Sequence, residues 1–323
     1  MLALRLLSRW PRGPRQQIPL LRQLHHKPIV TAQVGGPVGA AAHRMYFSRQ
    51  DTALSPWHDI PLAAAEGTTR EYNMVCEIPR WSNAKLEMDT SAPFNPIRQD
   101  IKKGRLRYVA NVFPYKGYIW NYGALPQTYE DPHVVDEDTG YVGDGDPIDV
   151  LELGQAICPE GSVHRVKILG VLALVDDAET DWKVLAIRSD DPMAPMLDDI
   201  ADLDRHMPGL VTATVDWFTK YKVPDGKPRN GWAFDGSPKD AAYAHQVIAK
   251  AHASWQKLLR EPQSKLALTN SSNSDSPHYQ SPSDARETLR ALTSGGSVTP
   301  IDPVDQQNTK WSFVANENTA AAQ

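Results

Sequence analysis

Alternating apolar and polar positions dominate the first two-thirds of the chain, and helical spacing takes over afterwards. Residues 74–78 (MVCEI) read as a strand closed by Pro79, and residues 84–88 alternate strictly. That alternation turns Ala84, Leu86 and Met88 toward a core and puts Lys85 and Glu87 together on the opposite face. Residues 105–109 are a further strand candidate. A long Val/Ile/Leu-rich run over 163–175 predicts a core-crossing strand, which turns through the acidic segment 176–181 and returns over 182–187. Helices are predicted at 195–206, at 210–222 before Pro224, and at 239–259, where apolar residues recur at helical spacing. Strands first and helices later predict an α+β domain built on a small closed sheet.

The flanks differ from this body. Residues 1–50 hold seven Arg and one Lys with no Asp or Glu. Arginines among Leu, Ile and Trp, without a continuous apolar stretch, predict a mitochondrial presequence over 1–46, with cleavage near 44–48. Residues 47–262 form the expected folded domain. Residues 263–323 are rich in Ser, Asn, Thr, Pro and Asp and read as a low-complexity tail. Trp311 and Phe313 are apolar enough that its end, about 309–315, is expected to dock back.

Beyond residue 50 there are 26 basic against 39 acidic residues, a net charge of −13, which argues against a nucleic-acid surface. Cys76 and Cys158 form no CxxC and read as buried thiols in a reducing compartment. No apolar run approaches the roughly 18 residues of a membrane span.

The candidate chemistry centres on Gly143-Asp144-Gly145-Asp146-Pro147-Ile148-Asp149-Val150-Leu151-Glu152. Asp144 and Asp146 point the same way in an extended segment, whereas Asp149 needs a bend that Gly145 and Pro147 permit. Three carboxylates forced together repel one another, and a hard cation such as Mg²⁺ relieves the repulsion. An EF-hand does not fit, because the third Asp is one place late and Gln155 stands at the twelfth position.

The string GDGDPIDVLE resembles the signature of the soluble family I inorganic pyrophosphatases. Further clusters match that family in order and spacing: Glu77, Lys85 and Glu87 in EIPRWSNAKLE, and Arg107 in KKGRLRY. Tyr118 and Tyr122 lie in FPYKGYIWNYGALPQTYEDP, Asp176, Asp181 and Lys183 in DDAETDWK, and Tyr221 and Lys222 in YKVPDGKP. The resemblance covers residues 55–260. It implies an OB-type, strongly twisted closed β-barrel with flanking α-helices, and hydrolysis of inorganic diphosphate to two phosphates. It further implies a homodimer of the longer eukaryotic type, with Arg80 and Trp81 at the interface.

The residue types agree with such chemistry. Seven carboxylates (Glu77, Glu87, Asp144, Asp146, Asp149, Asp176, Asp181) face four bases (Lys85, Arg107, Lys183, Lys222). A diphosphate adds roughly three to four negative charges, so about three to four divalent cations are needed. All-oxygen ligands favour Mg²⁺ over zinc. Asp144, Asp149 and Asp181 are expected to hold the first metal, with Asp146 beside a shared water whose proton it takes. Asp176 and Glu87 would hold further metals, and Glu77 would act through a water. Arg107, Lys85, Tyr122, Tyr221 and Lys222 are the expected phosphate-binding donors, with Lys183 and Tyr118 neutralising the leaving phosphate. Two rivals are a non-catalytic OB-fold binding module that keeps the pocket, and a phosphatase for larger esters. The first tolerates loss of ligands, and the second wants an apolar pocket. The presequence points to the mitochondrial matrix, with peripheral inner-membrane attachment left open.

Overall fold

The computed structural model describes residues 28–64, 71–294 and 309–315. Its strands of three or more residues are β1 (Val30–Val34), β2 (Arg44–Arg49), β3 (Thr52–Leu54), β4 (Glu71–Ile78), β5 (Leu86–Met88), β6 (Ile97–Gln99), β7 (Asn121–Ala124), β8 (Asp149–Glu152), β9 (Val163–Asp176) and β10 (Glu179–Arg188). The helices are α1 (Ile200–His206), α2 (Leu210–Lys220), α3 (Ala241–Leu258) and α4 (Pro282–Thr293).

Five strands carry the site. Strand β4 pairs with β7, β7 with β8, β8 with β10, β10 with β9, and β9 returns to β4. Only the β8–β10 pairing is parallel. Continuous apolar runs in β9 and β10 are buried on both faces, which is what a strand covered by helices on one side and core on the other requires. Leu169, Leu172, Leu174, Leu185 and Ile187 pack with Trp120, Trp217 and Phe218, while Val171, Ala173 and Val184 pack with Ala244, Val247 and Ile248 of α3. The strand expected at 105–109 is reduced to Arg105–Leu106, paired with Ile101–Lys102. The helix expected at 195–206 begins only at Ile200, because Asp199 caps it in a capping box with Asp202.

Both flanks depart from expectation where they are described. Strand β1 pairs with β2, which pairs in turn with β6. Met45, Tyr46 and Phe47 are buried, so cleavage at 44–48 would cut a core strand. The Gly- and Ala-rich run before Arg44 is a hairpin turn, and the strands on either side of it pair with one another and, through β2, with β6. The expected leader otherwise lies outside the described residues. Residues 263–294 are likewise packed. Helix α4 is capped by Ser281, and Ala285 on it is fully buried in a small cluster with Ala53 and Phe94. The Asp59 carboxylate, 4% exposed, accepts hydrogen bonds from the backbone N–H groups of Ser55, Ser271 and Ser272 and from the Ser271 and Ser272 hydroxyls. The polar composition that reads as disorder therefore supplies caps and clasps. Trp311–Ser312 pairs in parallel with Asn111–Val112, whereas residues 295–308 and 316–323 lie outside the described residues.

Candidate active site

The GDGDP loop takes the bend its sequence requires. Gly145 has φ +86°, a conformation that favours glycine, and Pro147 and Ile148 are buried behind it before Asp149 opens β8. A Cβ at Gly143 would lie 2.4 Å from the carbonyl of Glu130, so only glycine admits the approach. Residue 130 then grips the loop from both sides. Its N–H donates to Asp146 O (2.9 Å), and its carbonyl accepts from Gly145 N (2.8 Å). Asp146 N donates to Asp144 Oδ1 at 3.0 Å.

One cleft of about 140 Å³ gathers all fourteen sequence-predicted residues: Glu77, Lys85, Glu87, Arg107, Tyr118, Tyr122, Asp144, Asp146, Asp149, Asp176, Asp181, Lys183, Tyr221 and Lys222. Strand alternation puts Asp181 and Lys183 on one face of β10, and the parallel register sets Lys183 opposite Asp149. Lys85 and Glu87 share a face as predicted, with Nζ to Oε2 at 2.6 Å. The expected helix 210–222 ends at Lys220, which leaves Tyr221 and Lys222 at the turn where they face the cleft.

Each of the four bases is held by an acid. The buried Lys183 ammonium lies 2.6 Å from both Asp181 oxygens and also donates to Asp149. Tyr122 donates to Asp149 and accepts from Lys183. Lys222 pairs with Asp176, and Arg107 with Asp100 at 3.0 Å. Lys183 is thus engaged by two carboxylates and a phenol, rather than presented as an open phosphate donor. Tyr118 packs against Trp217 with ring centroids 5.1 Å apart, and Lys85 and Arg107 act on its buried hydroxyl, whose pKa burial raises to about 12.

The acids still outweigh their partners. Burial, reinforced by the Asp146 and Asp149 charges, pushes the Asp144 carboxyl up to about 7. Burial also lifts Asp146 to about 7 against the Lys85 charge, although the residue is exposed, which softens the effect. Glu77, Glu130 and Asp181 are raised by burial, with neighbouring carboxylates adding to it. Glu130, Asp144 and Asp181 each bring a carboxylate oxygen within 4.8 Å of the others. Glu130 Oε2 and Asp176 Oδ1 are buried with no hydrogen-bond partner in the structure. Unsatisfied buried carboxylate oxygens in a converging all-oxygen set fit a hard divalent cation, which would favour the ionised forms.

Three contributors escaped the sequence reading. Glu130 lies within the quoted run TYEDP, but nothing local marks it as facing Asp144 and Asp181. Asp100 fixes Arg107, and Arg98 bridges Glu87 (3.3 Å) and Asp89 (3.0 Å) across β5 and β6. Their signal is cross-strand register, which a single segment does not carry.

A small cleft lined by seven carboxylates and four bases fits a hydrolase-type site in which bound cations would handle phosphate. The family model described as inorganic pyrophosphatase matches residues 74–256. The chain belongs to the inorganic pyrophosphatase family of enzymes. It is 48% identical over 283 residues to the inorganic pyrophosphatase of Drosophila melanogaster, covering 86% of this chain and 82% of that one. It is 52% identical over 241 residues to that of Homo sapiens, covering 74% and 82%. The solved Schistosoma japonicum inorganic pyrophosphatase superposes with a TM-score of 0.82 at 44% identity, covering 88% of this chain and all of that one.

The Lys183 arrangement yields a prediction. Lys183→Met leaves Asp149 and Asp181 without their counter-charge, at a cost of about 3–5 kcal/mol in chelator. Thermal melting with and without Mg²⁺ checks it, since added cation should narrow the gap to wild type. An equal gap in both buffers would contradict the cation reading.

Proposed function

We propose that the chain hydrolyses inorganic diphosphate to two phosphates with Mg²⁺, about three to four ions per subunit. The observation that carries this reading is the convergence of fourteen residues from separate strands and loops on one small cleft. At about 140 Å³ the cleft falls well below the roughly 300–1,000 Å³ of sites for drug-sized ligands, which disfavours larger phosphate esters. The filled acid set also disfavours a non-catalytic binding module. The cyclic strand pairing is read as a closed barrel of the OB type.

Bound cations supply charge neutralisation and acidify the attacking water. Asp144, Asp149 and Asp181, joined by Glu130, hold the first ion, and Asp176 and Glu87 hold further ones. Glu77 commits Oε1 to the Met88 N–H at 2.7 Å, which suits a role through water. Asp146, at the solvent-facing edge of the group, takes the proton of the attacking water. Asp100 pins one edge of the Arg107 guanidinium and orients it for bidentate phosphate binding. Lys85, Tyr122, Tyr221 and Lys222 donate to substrate oxygens, and Lys183 and Tyr118 offset charge on the departing phosphate.

Exposed Trp81 and the ring cluster of Phe113, Trp311 and Phe313 border the 111–118 turn, an apolar surface suited to a homodimer contact. The basic N-terminal segment, read from the sequence as 1–46 and here limited to the residues ahead of strand β1, is assigned as a mitochondrial leader, and the matrix as the site of action.

Phosphate release from diphosphate is the direct test. Activity should require Mg²⁺ and be unsupported by Ca²⁺, which accepts looser coordination. Asp146→Asn should keep the fold and lose most turnover. Folded wild-type protein without release across the Mg²⁺ range would return the binding-module reading. Sedimentation should show a dimer that Trp81→Ser shifts toward monomer; an unchanged dimer would move the interface elsewhere. Isolated mitochondria should import the full chain but not one lacking residues 1–27, and equal import would remove the leader assignment.

A further inference from the structure

Arg107 reaches the cleft from the end of a short hairpin made by residues 101–106. Ile101 pairs with Leu106 and Lys102 with Arg105, and the tip is Lys103-Gly104 with φ +52° and +75°. Positive φ at both central residues is the tight-turn geometry that matches the twist of the flanking strands. A Cβ at Gly104 would meet nothing within 4 Å, so the tip stands clear of the body.

Alternation fixes which way the hairpin faces. The Arg107 N–H donates to the Asp100 carbonyl at 2.8 Å, which makes these two the next cross-strand pair, and their side chains meet at 3.0 Å. Lys102 stands two places from Asp100, and Arg105 two places from Arg107, so all four share one face. Arg107 turns that face toward the cleft, whereas Leu106 on the other face is buried against the body. Lys102, Lys103 and Arg105 are exposed and enter none of the ion pairs among the described residues.

The turn after α2 completes the rim. Lys222 lines the cleft, Asp225 is exposed, and Lys227 lies 3.1 Å from Asp177. Burial, then the charges of Arg107 and Lys222, pull the Lys102 ammonium below its ordinary value, and Asp225 opposes them. Lys102 therefore stands near enough to two cleft-lining bases to feel both. Around the rim Lys102, Lys103, Arg105 and Lys227 face Asp177 and Asp225, four bases against two acids. Arg107 and Lys222, deeper in, are already paired with Asp100 and Asp176. Elsewhere the sign reverses. The chain beyond residue 50 carries a net charge of −13, and the cleft holds seven carboxylates against four bases. A diphosphate approaches against that general field, and salt confines the reach of each charge to about 8–10 Å, so the local rim governs its entry.

We propose that this hairpin is a capture lip for the anionic substrate: Lys102, with Lys103 and Arg105 behind it, draws diphosphate over the rim toward Arg107 and Lys222. Lys102 is a positioning residue that touches no reacting atom; it sets how often substrate arrives and how tightly it is held. The inference rests on the proposed reaction.

Steady-state phosphate release at fixed free Mg²⁺ tests it. Lys102→Gln with Arg105→Gln should lower kcat/KM roughly three- to tenfold at low salt, with the loss carried by KM rather than kcat. Should that pair melt earlier than wild type, Lys102→Gln alone carries the same comparison. The gap should close between about 20 and about 300 mM KCl, because screening removes the attraction from wild type. Lys102→Arg, which keeps the charge, should match wild type. Lys257→Gln removes one exposed charge from α3, outside the cleft, and should leave KM in place. An unchanged kcat/KM in the double variant, an equal loss in Lys257→Gln, or a loss that persists at high salt overturns the lip. Absence of phosphate release from wild type would instead sink the proposed reaction. Calorimetric affinity for diphosphate in Ca²⁺ would then decide the lip, which falls if the double variant binds as tightly as wild type.

Discussion

Crowded negative charge is the constraint on which this structure depends. Asp149 and Asp181 share a single buried ammonium, that of Lys183, and Tyr122 completes the ring of donors. Around this knot Glu77, Glu130 and Asp144 sit where burial and the charge of neighbouring carboxylates oppose ionisation. Such a group is costly to fold and gains little stability from its own ion pairs. Its use lies in what it attracts, because every unmet charge in a small, partly buried cleft raises the affinity for a cation of opposite sign.

The frame is built to hold that group together. Strands β4, β7, β8, β9 and β10 each end at or carry part of the cleft, and the hydrogen-bond register between them fixes side chains distant in sequence. Aromatic packing supports the floor, since Trp217 stacks on Tyr221 at 4.7 Å and touches Tyr118. The packed rings restrict the two phenols to orientations that face the carboxylates. Loop and strand are tied by close backbone approach, which is why glycine stands at residue 143.

Period-two alternation made Lys85 and Glu87 legible as a pair, and the bend at Gly145 followed from the spacing of three aspartates. What alternation cannot express is partnership across strands, so Asp100 behind Arg107 and Glu130 behind Asp144 went unseen. The C-terminal segment was misread for a different reason. Ser271, Ser272 and Ser281 look like linker residues in a composition count, yet each satisfies a buried carboxylate or a helix end. Residues 44–46 were read with the leader because the basic, acid-free composition of the first fifty residues runs through them, while Met45 and Tyr46 are core.

The Asp59 clasp has a bearing on how the chain reaches this state. Its carboxylate is buried near the beginning of the described body, and four of its donors come from residues more than 200 positions later. Until Ser271 and Ser272 arrive, that carboxylate must stay hydrated, and the segment around Trp57 and His58 must remain open to water. A ribosome delivers the chain from its N-terminus, so the segment around Asp59 waits for residues more than 200 positions later to finish its own core. Completion of the fold is therefore a late event in the life of the nascent chain, timed by the emergence of two serines.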